Sequence, residues 1–334
     1  SADGNTAFVA DGESGLQIFD VTNPVNPTFK SAFNTPGVAN AVTLSADGDT
    51  AFVADWSSGL QIIDVSIPVS PTLKATLGTS GEAKDVVLSA DGNTAFIANQ
   101  TGGLKIVDVS TLSNPTLKGS FSTSSEVRDV TLSPDGQTAY LADGFDGLRI
   151  INVSDLTSPI LLGTLKTADF AHGVALSADG NTAYIADNDS GMQIIDVSNP
   201  SSPSLIAQIN TPGHAYSISL SADGNTVFLA DKNSGLQLID VSNGSMPSLI
   251  GSYNISGNAH AVSLSPDGNT AYLADANSGL QIIDLVDPAA NGTASISISP
   301  SHIGSVDTPD EALGVVLSAD GNTAFVADGE SGLQ

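Results

Sequence analysis

Short apolar stretches recur along the whole chain, each closed by glycine, asparagine, aspartate or proline. The stretch after Pro36 shows the pattern. Val38–Leu44 (VANAVTL) alternates apolar and polar residues and stops at SADG. Thr50–Asp55 (TAFVAD) is apolar and β-prone, and Gly59–Val65 (GLQIIDV) and Pro71–Leu77 (PTLKATL) follow after further turn residues. Alternation with a period of two predicts strands, and the Gly, Asn, Asp and Pro clusters predict hairpin turns between them. No segment carries a helical period. The second and third stretches are apolar almost throughout, which predicts sheets covered on both faces. Ala7, Ala51, Ala95 and Ala139 recur at one phase, where neighbouring sheets are expected to approach closely.

The SADG or SPDG phrase starts at Ser1, Ser45, Ser89, Ser133, Ser177, Ser221, Ser265 and Ser318, with six intervals of 44 residues and a seventh of 53. Four strands at this period predict an all-β fold, a seven-bladed β-propeller of four-stranded blades over residues 1–317, with repeats starting at 1, 45, 89, 133, 177, 221 and 265. A strand over Glu311–Leu317 would complete the blade begun at residue 1 by pairing with strands from residues 6–33. The ring would then be closed by a strand from the C-terminal region, leaving no open edge. Residues 318–334 duplicate residues 1–17 and are expected to start a next repeat or a next propeller unit. Recurrence at an offset of 317 residues suggests a tandem array, with a local duplication of one blade as the alternative.

Charge narrows the partners. With 36 acidic and 9 basic residues the net charge is −27, a surface that repels nucleic-acid phosphates and anionic lipid. No apolar run approaches the roughly 18 residues of a membrane span, so neither nucleic-acid binding nor membrane insertion is expected. The absence of cysteine excludes disulfides, zinc–thiolate sites and thiol catalysis. The chain opens at Ser1 inside a repeat and is expected to be a processed or excerpted segment.

Gly191–Asp231 (GLQIIDVSNPSSPSLIAQINTPGHAYSISLSADGNTVFLAD) resembles the LVIVD-repeat family, whose core phrase stands here as LQIFD (Leu16–Asp20), LQIID (Leu60–Asp64), LKIVD (Leu104–Asp108) and LQLID (Leu236–Asp240). The resemblance covers essentially the whole chain. It implies a propeller of the kind often carried by secreted or cell-surface bacterial and archaeal proteins, and it implies no activity and no catalytic residues.

Few residues stand out against this repeat. The turn aspartates, such as Asp47 and Asp91, and the acids ending the third stretch, such as Asp64, are expected to accept local backbone bonds; Asn152 replaces one of the latter. Asp187 and Asp189 before Gly191 have a D-x-D-x-G spacing and Asp11 and Glu13 before Gly15 a related one, which makes calcium the metal to consider. Calcium needs six to eight converging oxygens, however, and the equivalent loops Asp55–Gly59 and Asn99–Gly103 lack the second carboxylate.

Repeats differ most at the entrance to the first strand, where Asn40, Lys84, Arg128, His172, Tyr216, His260 and Leu313 align. These residues are expected to ring one mouth of the central channel as a ligand or partner surface, with Glu82, Asp85, Glu126, Asp129, Phe170, His214, Asp310 and Glu311 nearby. Plain charge pairing of Lys84 and Arg128 with adjacent acids is the alternative. No nucleophile elbow, phosphate loop or HExxH motif occurs, so no enzymatic activity and no cofactor other than calcium is expected. The leading expectation is a non-enzymatic structural or adhesive module of an extracellular array or filament that self-associates end to end, with other surface proteins or glycans as further partners. A monomeric propeller binding a ligand at the channel mouth, and more remotely a channel-mouth hydrolase, are the alternatives.

Overall fold

Among the described residues strand follows strand with only turns, bends and single bridges between them. The computed structural model describes residues 6–10, 15–20, 28–265, 268–285, 300–306, 312–317 and 324–328. It is an all-β propeller containing six four-stranded antiparallel sheets. The sheet of Ala41–Leu44, Thr50–Ala54, Leu60–Asp64 and Thr72–Leu77 is typical, each strand pairing with the next in sequence. A three-stranded sheet precedes these (Thr6–Ala10, Leu16–Asp20, Thr28–Phe33), and a two-stranded one follows (Ala312–Leu317, Ala324–Asp328).

The apolar middle strands explain the stacking. In Thr50–Ala54, Ala51 and Val53 join one core cluster with Leu16, Ile18 and Leu280, while Phe52 and Ala54 join the next with Ala83, Val86, Ile97 and Val107. Successive side chains of one strand thus fill two different interfaces, which is why every position after Thr50 is apolar. The recurrent alanines lie in these interfaces; Ala51, Ala95, Ala139, Ala183 and Ala271 are fully buried. The fourth strands, by contrast, form the exposed outer rim.

The turn acids behave as expected. Asp47 accepts from Ser45 Oγ and from the Asp49 N–H (3.0 Å), while Gly48 takes φ 75°. Asp64 accepts from the Ser66 N–H (3.1 Å), and Asn152 does the same for Ser154 (2.9 Å).

Closure differs in one respect from expectation. The strand Ala312–Leu317 pairs with Ala324–Asp328 rather than with Thr6–Ala10. The two candidate partners carry the same AFVAD sequence, so either copy offers the same hydrogen-bonding edge. The strand Ala312–Leu317 lies against both Ala259–Leu264 and Ala41–Leu44.

Candidate functional site

Each inner strand begins at the same end of the channel, and its entrance is tied to the preceding blade. The loop after the second strand of one blade bridges to the next blade's entrance, pairing Trp56 with Ala83, Gln100 with Val127, Gly144 with Ala171, Asn188 with Ala215 and Lys232 with Ala259. Beyond the bridge the register slips, between Val127 and Asp129 and between Ala259 and Ala261. The slip leaves Arg128 and His260 as the extra residues of a bulge, a device that re-aims a side chain. The loop residue and the entrance residue thereby meet at the channel mouth.

Five rings line one arc of that mouth in unbroken contact. Phe145 meets Phe170 edge-on with centroids 4.8 Å apart, and Phe170 meets His172 at 4.7 Å. His172 stacks on Tyr216 at 3.9 Å and 18°, and Tyr216 meets His260 at 5.0 Å. Cations border the arc. Arg128 lies over Phe170 (5.2 Å), and Lys232 lies over Tyr216 (4.4 Å) while its Nζ donates to the Tyr216 hydroxyl (3.0 Å). On the other side Lys84 lies over Trp56 (4.5 Å) with Glu82 at 3.5 Å.

Burial and neighbouring charge set the protonation states. Burial, then the positive charges of Arg128 and Lys232, push His172 down to about 3; burial and Lys232 push His260 down to about 4. Both imidazoles are neutral at pH 7 and keep a lone pair for accepting a proton. Lys84 is lowered by burial and by Arg128. Burial opposes the ionisation of Glu126, but its bond from Gln100 and the charges of Arg128 and Lys84 outweigh it and hold the carboxyl below the usual range. Glu126 pairs with Arg128 Nη2, yet Arg128 Nε is buried and bonds to nothing in the protein. Next along the inner strands Asp85 and Asp129 are half-buried, and desolvation raises both carboxyls.

The ring expected from the sequence is therefore assembled unevenly. Lys84, Arg128, His172, Tyr216 and His260 come together with partners, whereas Asn40 turns its amide to Val38 O (2.8 Å) and Leu313 packs against the core. The calcium expectation needs correction. Asp187 is buried and accepts from the Ala168 and Asp169 N–H groups (3.0 and 3.1 Å), while Asp189 pairs with His214, so the two carboxylates serve different partners. Asp11, Glu13, Asp310 and Glu311 lie outside the described residues. Among the described residues no three His, Asp or Glu side chains converge as a metal site. Sequence reasoning missed the loop position of Trp56, Gln100, Gly144, Asn188 and Lys232, although it varies between repeats as much as the entrance does. It also missed Asp85 with Asp129, whose signal was two acids one repeat apart where other repeats carry Ala, Gly or Ser.

The LVIVD repeat pattern matches residues 1–35, 36–79, 80–123, 126–167, 171–211, 212–255 and 256–308. The chain belongs to the LVIVD repeat family. No curated protein matches this LVIVD-repeat chain. Solved structures do. The periplasmic gluconolactonase of Pseudomonas aeruginosa is 17% identical with a TM-score of 0.74, covering 90% of this chain and 99% of that one. A 6-phosphogluconolactonase-like protein from Bacteroides uniformis is 15% identical with a TM-score of 0.75, covering 97% and 100%. A second such protein, from Bacteroides fragilis, is 15% identical with a TM-score of 0.74, covering 98% and 99%. At this identity the likeness carries the fold. It also corrects the leading functional expectation. These three propellers, matched over essentially their whole length, are a lactonase and two lactonase-like proteins, none of them a structural or adhesive array module.

Proposed function

We propose that this LVIVD-repeat chain is a seven-bladed propeller whose channel mouth binds and hydrolyses a small anionic cyclic ester of the sugar-lactone class. The seven repeats and the inner strand Ala312–Leu317 seated between its two neighbours support the blade count. The observation that carries the functional reading is Arg128 Nε, a buried N–H donor at the mouth without a protein acceptor. Unpaired buried donors are costly, and an acceptor on a ligand would satisfy this one.

The roles follow from position and charge. Arg128 and Lys232 hold the ligand's anionic group, and the His172–Tyr216 stack offers a flat wall to its ring. His260, half-buried and neutral at pH 7, takes a proton from a water that attacks the ester carbonyl. The ring C–O bond then breaks, and the imidazolium returns the proton to the leaving alkoxide, giving an open-chain hydroxy acid. The lactonase and lactonase-like proteins sharing the fold favour this class over other esters.

The test is proton release from glucono-1,5-lactone and its 6-phosphate, against the spontaneous rate. Acceleration that is lost in Arg128→Ala and in His260→Ala is the expected result. A rate equal to the spontaneous one, together with no heat of binding for gluconate or 6-phosphogluconate, would refute the proposal.

A further inference from the structure

Beside Lys84 the mouth opens into a cleft of about 510 Å³, walled by Trp56, Ser57, Glu82 and the turn Thr35–Val38. That volume lies within the ~300–1,000 Å³ typical of small-ligand sites. Nothing in the lactone reading uses it.

The residue that defines the cleft is held against its backbone preference. Trp56 has φ 42°, in the left-handed region. All four equivalent loops take the same region: Gly144 at φ 50° and Asn188 at φ 46° are suited to it, whereas Gln100 at φ 38° and Lys232 at φ 40°, like Trp56, are not. For a bulky side chain the same conformation costs about 1–2 kcal/mol, so the loop itself has no need of tryptophan. Nor does the core, since Trp56 is only half-buried and belongs to none of the inter-blade clusters. The indole is instead presented to the mouth, with the Lys84 ammonium 4.5 Å from its centroid and the cleft along it.

The chemistry of the walls selects among ligands. An indole accepts the C–H face of a ring, and hydroxyl groups suit a carboxylate acceptor (Glu82), a hydroxyl (Ser57) and a backbone turn. Glu82, a carboxylate in the cleft wall itself, disfavours a phosphate or an acidic peptide at this point. We infer that the Trp56 cleft is a binding subsite for a neutral pyranose ring, stacked on the indole and hydrogen-bonded through Glu82. The inference stands whether or not the neighbouring arc hydrolyses lactones.

Trp56 is the only tryptophan in the chain, so intrinsic fluorescence reports on this cleft alone. The intact protein is titrated with maltose, cellobiose and N-acetylglucosamine, with glycerol as the control. A saturable change in emission with at least one sugar is expected. Glu82→Ala, which leaves the fluorophore in place, is expected to weaken it at least tenfold while the melting temperature stays close to that of the parent. Calorimetry with Trp56→Ala is expected to show no binding of the same sugar. A linear response matching glycerol for all three sugars would overturn the inference, as would unchanged affinity in Glu82→Ala and Trp56→Ala. Lactone turnover persisting alongside such a result would sink the subsite and leave the proposed reaction standing.

Discussion

Asp85 and Asp129 lie together on two neighbouring inner strands of the channel, close enough for each to shift the ionisation of the other. Each also accepts a backbone N–H from the following blade, Val130 to Asp85 (3.3 Å) and Val174 to Asp129 (2.8 Å). Burial raises both carboxyls, and the negative charge of Asp85 raises Asp129 further, so the pair favours sharing one proton. A folded-state pKa above the unfolded value of about 3.9 gives stability that is fully present below that value and is lost as pH rises through the folded pKa.

Asp129→Asn keeps an acceptor for Val174 and supplies a permanent donor to Asp85. The melting temperature of the variant is expected to match the parent at pH 5 and to exceed it at pH 8. In a chain of 334 residues a gain of 1 kcal/mol corresponds to roughly 1–2 °C. Asp49→Asn is the control for net charge, since Asp49 is exposed and other repeats already carry Asn there (Asn93, Asn181). An Asp129→Asn curve that shifts no more than the Asp49→Asn curve would show that the pair carries no excess cost at pH 8.

Asp55 offers a second titration. Burial raises it to about 6 despite bonds from Thr35 Oγ1 (2.6 Å) and the Gly37 N–H (3.0 Å). Its contribution falls as pH rises through about 6. The turn acids run the other way. Asp47 and Asp64 are held low, chiefly by hydroxyl bonds from Ser45 and Ser66, so their stabilisation is lost as pH falls below the usual carboxylate range. Maximum stability is therefore expected between about pH 4 and 6. Asn99 occupies the position of Asp55 in the next blade and also accepts from a threonine, Thr79 (2.6 Å). Asp55→Asn is thus expected to fold, to lose stability at pH 5 because the Gly37 N–H loses its acceptor, and to lose none at pH 8. Parallel melting curves at both pH values would contradict the raised carboxyl.

Most of the fold was legible because each level of the sequence agreed with the others. The two-residue alternation, the turn residues and the repeat all specified four short strands, and Ala51, Phe52 and Val53 showed by their lack of polarity that both faces were covered. The mouth was legible only in part. Variation at Lys84, Arg128, His172, Tyr216 and His260 marked the entrance, but their partners come from a loop after a second strand, of the preceding blade for Lys84 (Trp56, 28 residues away) and of the same blade for Tyr216 (Lys232, 16 residues away). No local pattern encodes a pairing that depends on how two blades are stacked. The same holds for Asp187, whose spacing from Asp189 resembled a cation loop until burial turned it towards the Ala168 and Asp169 amides.

Two glycines with the same φ test how much of the turn chemistry is steric. Gly59 has φ 76°, and a Cβ there would lie 2.3 Å from Leu77 O; Gly92 has φ 70° with open space around the same point. Gly92→Ala meets only the left-handed penalty, offset in part by a stiffer unfolded chain, and is expected to cost about 1 kcal/mol. Gly59→Ala adds a backbone clash and is expected to cost more than about 2 kcal/mol. Equal costs in chemical denaturation would show that the third-strand entrance can relax around a side chain.

His172 gives the sharpest reading of the mouth. Its imidazole is pushed down to about 3 first by burial, under Tyr216 and Phe170, and then by the charge of Arg128. By NMR titration its ring is expected to stay neutral from pH 8 to pH 5. Arg128→Ala removes a repelling charge and leaves the Tyr216 stack in place; Tyr216→Ala removes the stack and opens the ring to water. Both are expected to move the titration upward towards the ordinary value of about 6.5, with Tyr216→Ala moving it further because burial is the larger cause. Tyr216→Phe keeps the ring and is expected to leave His172 close to its parent value, while freeing Lys232 from the hydroxyl it now holds at 3.0 Å. A parent His172 that already titrates near 6.5 would mean that the arc is open to solvent. The His172–Tyr216 stack would then not be the desolvated wall against which the proposed ligand ring is held.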